Sequence, residues 1–572
     1  MSEPPQYPPV DPTTFDLVVI GTGLPESVIA AAASTSGKSV LHLDPNPFYG
    51  SHFASLSIPE LTSFLNSSSA PPVSLSSSQA ADGATEDPKF SIINLSCRSL
   101  YSDVEISSLS PTLLEECSRK FLLDVSGPRV LFCADKAIDL MMKSEASQYV
   151  EFKGIDASFI GDGNGALSAV PDSRAAIFKD KSLNLIQKNQ LMRFFKLVQG
   201  HLRATAAAAS TIDENQNEEG EVQEAASMIS EEDLESPFVD FLTKMQLPPK
   251  IKSIILYAIA MADHDQENRE ISKHLLKTKD GVDRLARYQS SIGRFANAYG
   301  PFIYPIYGQG ELPQAFCRRA AVKGCIYVLR MGVVGLLVEK SSGSYKGVKL
   351  ASGQELFSNK LLLNPAFTIS SPSTSPADPL CVKSPHLTVQ TVKSKVVRGI
   401  CITKRSLKPD ISNLLVLYPP QSLYPEQFTP IRVLQIGGNS AICPVGMFVL
   451  YLLALCEDGA EGKKLLNGAM SALLAFPDCS KSDSVVHDEN VSQTVGSEEG
   501  KPALLWSALY VQEMQTMGRS DFITSTPTPD GDLDYSSLFD ATLELFQTMY
   551  PNTDVFPETS SSEEHGGENL ES

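Results

Sequence analysis

The N-terminal part of the chain alternates between apolar runs of strand length and an alanine-rich helical stretch. Phe15–Ile20 is apolar and β-branched, and it leads directly into a turn that contains Gly21 and Gly23. Glu26–Ser36 has a helical composition, and Ser39–Asp44 is a second apolar run. A strand, a helix and a second strand within about 30 residues form a βαβ unit, the opening of dinucleotide-binding folds. The segment therefore predicts an α/β domain of the FAD/NAD-binding type.

Farther along the chain, the apolar spacing changes from that of a strand to that of a helix and back again. Leu183–Leu202 carries apolar side chains at roughly helical spacing. The helices predicted after it are Phe238–Met245, Pro248–Ala262 and Gly281–Tyr299. The strands predicted beyond them are Cys325–Arg330, Val333–Glu339, Lys395–Ile402, Leu414–Tyr418 and Ile431–Ile436. The pattern predicts a discontinuous α/β domain over residues 15–174 and 301–555, interrupted by an all-helical domain over residues 175–300.

Three segments have compositions that predict disorder. Residues 67–87 are rich in Ser, Ala and Pro, and residues 204–235 form an acidic linker within the helical domain. Residues 556–572 form an acidic tail. A proline-rich N-terminal extension, residues 1–14, precedes the first predicted strand.

The overall composition is that of a globular protein, because 42% of the 572 residues are hydrophobic. The formal net charge is −20 and the isoelectric point is about 4.9. Nucleic-acid-binding proteins usually carry a basic face that neutralises phosphates. The charge therefore predicts that nucleic acid is not a partner.

The ten cysteines and the chain ends point to the cytosol. No two cysteines form a C-x-x-C pair, and the N-terminus lacks the apolar core of a secretory signal. The longest apolar stretch, Ile442–Cys456, is shorter than the ~20 residues that span a bilayer, so it predicts a buried strand or helix. The C-terminus carries no prenylation box. We expect a cytosolic protein that is not anchored by a lipid of its own.

The glycine turn departs from the G-x-G-x-x-G pattern of phosphate-binding loops. The third glycine is replaced by Glu26, which follows Gly21 and Gly23 at the start of the predicted helix. Its carboxylate would repel a dinucleotide phosphate from the helix N-terminus. Asp44, at the end of the second predicted strand, is the acidic residue that a dinucleotide-binding motif uses to hold a ribose hydroxyl. We therefore expect no flavin or nicotinamide cofactor, and interpret the glycines as shaping a tight turn.

No catalytic constellation is present in the sequence. The histidines show no H-E-x-x-H spacing, no serine lies in G-x-S-x-G, and no P-loop occurs. His264, between two aspartates, is interpreted as part of a solvated helix end rather than as a metal ligand. Cys317 and Cys325 are interpreted as buried small hydrophobic residues. The protein is therefore predicted not to be an enzyme.

Two segments resemble a known family. GTGLPES and SVLHLDPNPFYGSHFASL, Gly21–Ser27 and Ser39–Leu56, form the first. YPIYGQGELPQAFCRRAAVKGCIYVLR, Tyr304–Arg330, forms the second. Both are similar to conserved regions of the Rab escort proteins and Rab GDP-dissociation inhibitors. The resemblance covers nearly the whole chain and implies a flavoprotein-like fold that does not use flavin.

Within this family, this chain is more similar to the escort proteins than to the dissociation inhibitors. The sequences of its flanking motifs are most similar to those of plant members. Asp172–Phe195 resembles the segment by which escort proteins dock on the geranylgeranyl transferase. Phe178 matches the phenylalanine that is inserted into the transferase α-subunit. Asn189 stands where animal and fungal escort proteins usually carry an arginine that pairs with the transferase. The resemblance thus implies a transferase-binding site that contains Phe178 and Asn189.

The same resemblance implies a Rab-binding platform. Tyr49 matches the tyrosine that contacts the GTPase switch region. Glu311, Gln314 and Arg318 match the polar residues that read the switches of a GDP-bound Rab. On a helix, these three residues lie on one face. Ile326 and Val328 replace a threonine and a methionine that dissociation inhibitors carry in the platform.

The resemblance implies a function in Rab prenylation. A Rab escort protein binds newly made GDP-bound Rab GTPases and presents them to Rab geranylgeranyltransferase, an α/β heterodimer, for prenylation of C-terminal cysteines. It shelters the geranylgeranyl group among its helices and delivers the prenylated Rab to membranes, so it visits them transiently. One alternative is a Rab GDP-dissociation inhibitor, which recycles finished Rabs. The other is a flavin-dependent oxidoreductase of the amine oxidase type.

Overall fold

The computed structural model describes residues 8–68, 89–171, 184–210, 228–269, 274–369, 391–476, 500–515 and 522–557. Two large sheets dominate the described residues. The first sheet has nine strands and the second has eight. A block of helices packs against the second sheet. The chain crosses between these layers several times, so each layer is built from distant parts of the sequence.

The first sheet contains a parallel section of dinucleotide-binding type. Its strands are β1 Thr14–Ile20, β2 Val40–Asp44, β4 Phe90–Cys97, β12 Ile326–Leu329, β13 Val333–Glu339, β14 Tyr345–Leu350, β15 Glu355–Leu363, β16 Phe367–Ile369 and β22 Ile523–Ser525. The five parallel strands run in the order β12, β2, β1, β15, β22. This is the 3-2-1-4-5 order of a Rossmann sheet. The sheet draws strands from three separated parts of the chain, which confirms the predicted discontinuous α/β fold.

The second sheet is mixed and largely antiparallel. Its strands are β5 Tyr101–Ser108, β9 Ala157–Gly161, β10 Leu167–Ala169, β17 Thr391–Thr403, β18 Leu414–Tyr418, β19 Ile431–Gly437, β20 Phe448–Cys456 and β21 Leu504–Gln515. Strand β20 confirms the prediction that the longest apolar stretch is a buried element. Two small sheets connect the layers. Their strands are β3 Ser55–Leu56 with β6 Leu123–Asp124, and β7 Leu131–Phe132, β8 Phe152–Gly154 and β11 Phe302–Pro305.

The helices fall into two groups. The first group lies outside the helical block and consists of α1 Leu24–Thr35, α2 Ile58–Ser68, α3 Pro111–Glu115, α4 Lys136–Lys143, α10 Glu311–Val322, α11 Gly459–Leu473 and α12 Ser536–Met549. Those of the helical block are α5 Leu185–Ser210, α6 Glu231–Glu235, α7 Phe238–Lys244, α8 Pro249–Ser253 and α9 Thr278–Ser291. Short 3₁₀ turns occupy Ser51–Phe53, Ser118–Lys120, Ala146–Tyr149 and Gly438–Ser440. Helices α1, α10 and α12 pack together beside the parallel strands.

The helical block shares its core with the second sheet. Phe194 of α5 and Phe241 of α7 have ring centroids 6.4 Å apart. They belong to one buried cluster with sheet residues such as Leu415 and Leu434. After α8, the chain continues as a π-helical turn, Ile254–Ile259, all of whose side chains are buried. The block is therefore continuous with the α/β part through its apolar core.

Parts of the predicted disordered segments are ordered. Helix α5 continues to Ser210, because the linker begins with an alanine run that favours helix. Helix α6 forms from the acidic run because Ser230 Oγ accepts a hydrogen bond from Asp233 N and the acidic side chains complement the helix dipole. Residues 211–227 lie outside the described residues.

The boundaries of the other polar segments also differ from the prediction. Helix α2 includes residues 67 and 68, and the rest of the 67–87 segment lies outside the described residues. Val10, in the N-terminal extension, is buried, and its backbone N–H donates to Gln354 Oε1. Phe556 is only 1% exposed and stacks on Phe316, so the tail begins later than predicted. Residues 558–572 lie outside the described residues.

Candidate functional site

The glycine turn after β1 is closed by the chain's own side chains. Gly21 has φ +99°, and a Cβ there would lie 2.5 Å from Asn364 Cβ, so the turn requires glycine. Glu26 is buried in the first turn of α1. Its Oε1 accepts hydrogen bonds from Thr526 Oγ1 at 2.5 Å and Asn364 Nδ2 at 3.3 Å. A Cβ on Gly23 would collide with Glu26 Oε2. The carboxyl group therefore fills the helix N-terminus, where a dinucleotide phosphate would bind.

Asp44, the second element of the dinucleotide motif, is also used internally. Its Oδ2 accepts hydrogen bonds from Thr22 N at 2.8 Å, Thr22 Oγ1 at 2.6 Å and Ser51 Oγ at 2.9 Å. Its Oδ1 accepts from Asn46 N at 2.8 Å. Burial raises the pKa of Glu26 to about 7 and also raises the pKa of Asp44. Neither carboxyl group is arranged to hold a nucleotide, so these residues do not fit a flavin or nicotinamide dinucleotide.

The degenerate dinucleotide motif instead holds the loop that carries Tyr49. Thr22 Oγ1 accepts a hydrogen bond from Gly50 N at 2.9 Å, and Ser51 is bound by Asp44. On the other side of the loop, Arg330 N donates to Asn46 O at 3.1 Å. These contacts fix both ends of the loop. Tyr49 is therefore presented from a rigid support.

Tyr49 rests on a second aromatic ring. The ring centroids of Tyr49 and Tyr327 are 6.0 Å apart in an edge-on arrangement. Tyr327 in turn lies over buried His42, with centroids 4.8 Å apart. Partial burial, with smaller effects from nearby Cys317 and Cys325, raises the pKa of Tyr49. Both cysteines are buried, as predicted. Sequence patterns gave no sign of this contact, because it joins a strand residue, Tyr327, to a loop residue, Tyr49, that is distant in the chain.

Helix α10 presents the predicted polar face. Glu311 and Gln314 are half-buried and Arg318 is exposed. Gln314 Nε2 donates to Glu311 Oε1 at 3.3 Å. Partial burial raises the pKa of Glu311, and the charge of Arg318 opposes that shift. The three side chains thus form one face that carries both signs of charge. Ile326 and Val328 lie half-buried on the neighbouring edge strand β12.

The start of α10 sits on a small polar support that sequence patterns did not reveal. Gly310 N donates to Ser55 Oγ at 2.8 Å, and Gln309 N donates to Asp124 Oδ1 at 2.9 Å. A Cβ on Gly308 would lie 2.5 Å from Ser55 Oγ, and one on Gly310 would lie 2.8 Å from Ser55 N. Both glycines of the G-Q-G-E sequence are therefore required by close approach to Ser55.

The candidate transferase site lies elsewhere, at the start of α5. Asn189 is exposed there, and Phe178 lies outside the described residues. Leu185 and Ile186 are 71% and 70% exposed, one helical turn before Asn189. Leu185 and Ile186 lie four and three residues before Asn189, so both are neighbours of Asn189 on the helix surface.

The described residues show no metal centre and no membrane helix. His264 and His274 have ring centroids 5.8 Å apart, and His264 is half-buried in the turn after the π-helical segment. No group of three or more His, Cys, Asp or Glu side chains within the described residues could hold a metal ion. None of the helices found there combines the length and apolar character that a bilayer crossing requires.

Comparisons with known proteins agree on one family. A sequence model of the GDP dissociation inhibitor family matches residues 11–106 and 90–450. Rab escort protein 1 of Arabidopsis thaliana is 55% identical over 574 residues, covering 99% of this chain and 98% of that protein. The Rab proteins geranylgeranyltransferase component A of Drosophila melanogaster is 28% identical, covering 97% of this chain and 92% of that protein.

Solved structures give the same answer for the fold. The crystal structure of a Rab GDI from Plasmodium falciparum covers 94% of this chain and 98% of its own length, with a TM-score of 0.63 and 16% sequence identity. That likeness confirms the fold, and the sequence similarity supplies the family. The chain belongs to the GDP dissociation inhibitor family and, within it, to the Rab escort proteins.

Proposed function

We propose that this protein binds newly made, GDP-bound Rab GTPases and presents them to Rab geranylgeranyltransferase for prenylation of their C-terminal cysteines. It then carries the prenylated Rab to a membrane. The observation that carries the proposal is the full-length similarity to a Rab escort protein at 55% identity. In this role the protein is a non-catalytic accessory component, and the chemistry belongs to the transferase.

The Rab-binding surface consists of Tyr49 together with Glu311, Gln314 and Arg318. Tyr49 is half-buried and braced by Tyr327, which limits the entropy lost when a partner binds it. The polar face of α10 carries an acid, an amide and a base side by side. A surface with both signs of charge recognises a partner by charge complementarity, as the exposed switch regions of a GDP-bound GTPase would require.

The transferase docks on the segment around Phe178 and Asn189. Exposed Leu185 and Ile186 at the start of α5 support this assignment, because neighbouring exposed apolar side chains on one helix face are typical of a binding surface. Phe178 is the anchor residue of this surface, and it fills a pocket in the transferase. The domain that spans residues 175–300 thus carries the docking function, while the α/β part carries the Rab.

The isoprenoid is sheltered among the helices of the same block. Phe194, Phe241 and the buried π-helical turn Ile254–Ile259 form an extended apolar core there. Burying an isoprenoid stabilises it by roughly 0.8 kcal/mol per methylene-sized unit. Because Phe194 and Phe241 are only 0% and 2% exposed in this structure, the helices must separate to admit the lipid. The protein works in the cytosol and contacts membranes only during delivery.

The alternatives fit less well. A dissociation inhibitor would not need the docking segment Asp172–Phe195, and proteins named as geranylgeranyltransferase component A match 97% of this chain in fly and human. A flavin-dependent oxidoreductase would need the helix N-terminus that the Glu26 carboxyl fills. Flavin absorption in the purified protein would support the oxidoreductase alternative. We expect the purified protein to be colourless.

Paired variants test the proposal because they separate its two binding partners. Phe178→Ala should abolish transferase binding and leave binding of GDP-loaded Rab unchanged. Arg318→Glu reverses a charge on the Rab-binding face and should weaken Rab binding at least tenfold. It should leave transferase binding unchanged. If Phe178→Ala binds both partners like the wild type, the assignment of the docking site to Phe178 is wrong. If the wild-type protein binds Rab but not the transferase, the dissociation-inhibitor function gains support.

A further inference from the structure

A buried carboxylate beneath the Rab-binding surface has no assigned role. Asp124 is 1% exposed at the end of β6, directly opposite Ser55 of β3. Its Oδ1 accepts hydrogen bonds from Ser55 Oγ at 2.6 Å and Gln309 N at 2.9 Å. Its Oδ2 accepts from Tyr304 Oη. One carboxyl group therefore binds three separate elements.

These contacts hold the N-terminus of α10 in place. Gln309 and Gly310 immediately precede the helix, and their N–H groups are bound by Asp124 and Ser55. The glycines at 308 and 310 allow the backbone to approach Ser55 this closely. Because Glu311 is the first residue of α10, its position follows directly from this support. Charge-assisted hydrogen bonds are short and directional, so they restrict the helix strongly.

The same support holds the segment that follows Tyr49. A 3₁₀ turn, Ser51–Phe53, joins the Tyr49 loop to β3, where Ser55 lies. Val125 N, next to Asp124, donates to Ala54 O at 3.0 Å. The Ser55–Asp124 pair therefore contacts the residues that begin α10, and Ser55 lies on the strand that follows the Tyr49 loop, although neither side chain belongs to the Rab-binding surface.

We propose that Ser55 and Asp124 are positioning residues for Rab binding, because they set the helix that begins at Glu311 relative to the loop that carries Tyr49. The inference rests on the proposed function and deepens it. Burial raises the pKa of Asp124 to about 6, and the hydrogen bonds from Ser55 and Tyr304 oppose the shift. The carboxyl group is therefore mainly ionised at neutral pH and acts as an acceptor for all three donors.

The test compares three variants of the full chain by equilibrium titration with a GDP-loaded Rab. Ser55→Ala removes the acceptor of Gly310 N, and Asp124→Asn replaces one acceptor oxygen. Tyr304→Phe is the matched control, because it removes an Asp124 partner that does not hold α10. We expect the first two variants to weaken Rab binding about tenfold, the equivalent of one charge-assisted hydrogen bond. The control should stay within about twofold, and all three should bind the transferase like the wild type.

A positioning role also predicts non-additivity. In a Glu311→Ala background, Ser55→Ala should weaken Rab binding by less than it does in the wild-type background, because one of the residues that the support positions is gone. If Asp124→Asn does not fold, Ser55→Ala alone carries the test. Wild-type affinity in Ser55→Ala, or equal losses of Rab and transferase binding, would overturn the inference while the proposed function stands. Failure of the wild-type protein to bind Rab would overturn both.

Discussion

Replacing Glu26 by glutamine probes the carboxyl group that fills the former phosphate position. Glu26 is 1% exposed at the start of α1 and is bound by Thr526 and Asn364. Burial raises its pKa from 4.5 to about 7. The folded protein therefore binds a proton at this position more tightly than the unfolded chain does. Glutamine keeps the shape of the side chain and removes its titration.

The sign and size of the effect follow from this shift. A raised folded-state pKa means that the carboxyl group lowers stability as pH rises from 4.5 toward 7, and that the loss is complete above pH 7. A shift of about 2.5 units corresponds to about 3 kcal/mol. Part of that loss is already present at pH 5. The stability of Glu26→Gln relative to wild type should therefore improve by about 2.5 kcal/mol between pH 5 and pH 8.

Urea unfolding of both proteins at the two pH values measures this difference. Effects of the new amide that do not depend on pH cancel in the comparison. Glu115→Gln, on the exposed surface of α3, is the matched control and should change stability by less than about 0.5 kcal/mol at either pH. A Glu26→Gln effect that is the same at both pH values, or that becomes more unfavourable at pH 8, would refute the reasoning. Rab binding by the variant should match that of the wild type.

Three further substitutions have expected outcomes. Gly310→Ala would place a Cβ 2.8 Å from Ser55 N, so it should weaken Rab binding at least tenfold in a titration. Arg398→Ala would leave the carbonyls of Ser126, Gly127 and Asp530 without their buried donor, and should lower the free energy of unfolding by about 3 kcal/mol or more in urea titrations. Asn189→Arg should strengthen binding to an animal transferase by up to about tenfold and should leave Rab affinity unchanged. If the variant and the wild type bind that transferase with equal affinity, the assignment of position 189 to the docking site is wrong.

Elements with a strong local pattern were predictable from sequence. Strand β1, helix α1 and strand β2 lie within two residues of the predicted Phe15–Ile20, Glu26–Ser36 and Ser39–Asp44. The spacing of Glu311, Gln314 and Arg318 indicated that they would share one face if this segment were helical, and the segment is helix α10. In each case, neighbouring residues carry the information, so a short window of sequence is sufficient.

Features that depend on contacts between distant residues were not predictable. Asp124 binds Gln309, which lies 185 positions away in the chain, and nothing near Asp124 in the sequence indicates this contact. The Glu26 carboxyl meets Thr526, 500 positions away. The sequence indicates that Glu26 spoils a phosphate site, but only the structure shows its carboxyl group at the start of α1. Helix α6 was missed because its acidic composition matches that of disordered chain, while its stability depends on the Ser230 cap.

Geranylgeranyl transfer to a GDP-loaded Rab tests the central claim most directly. The transferase should come from the same organism, because the family resemblance implies an arginine at the position of Asn189 in animal and fungal escort proteins. Transfer is measured with and without this protein, at equal concentrations of Rab and transferase. We predict that transfer depends on the added protein and is lost with Phe178→Ala. Binding of Rab without any stimulation of transfer would contradict the escort function.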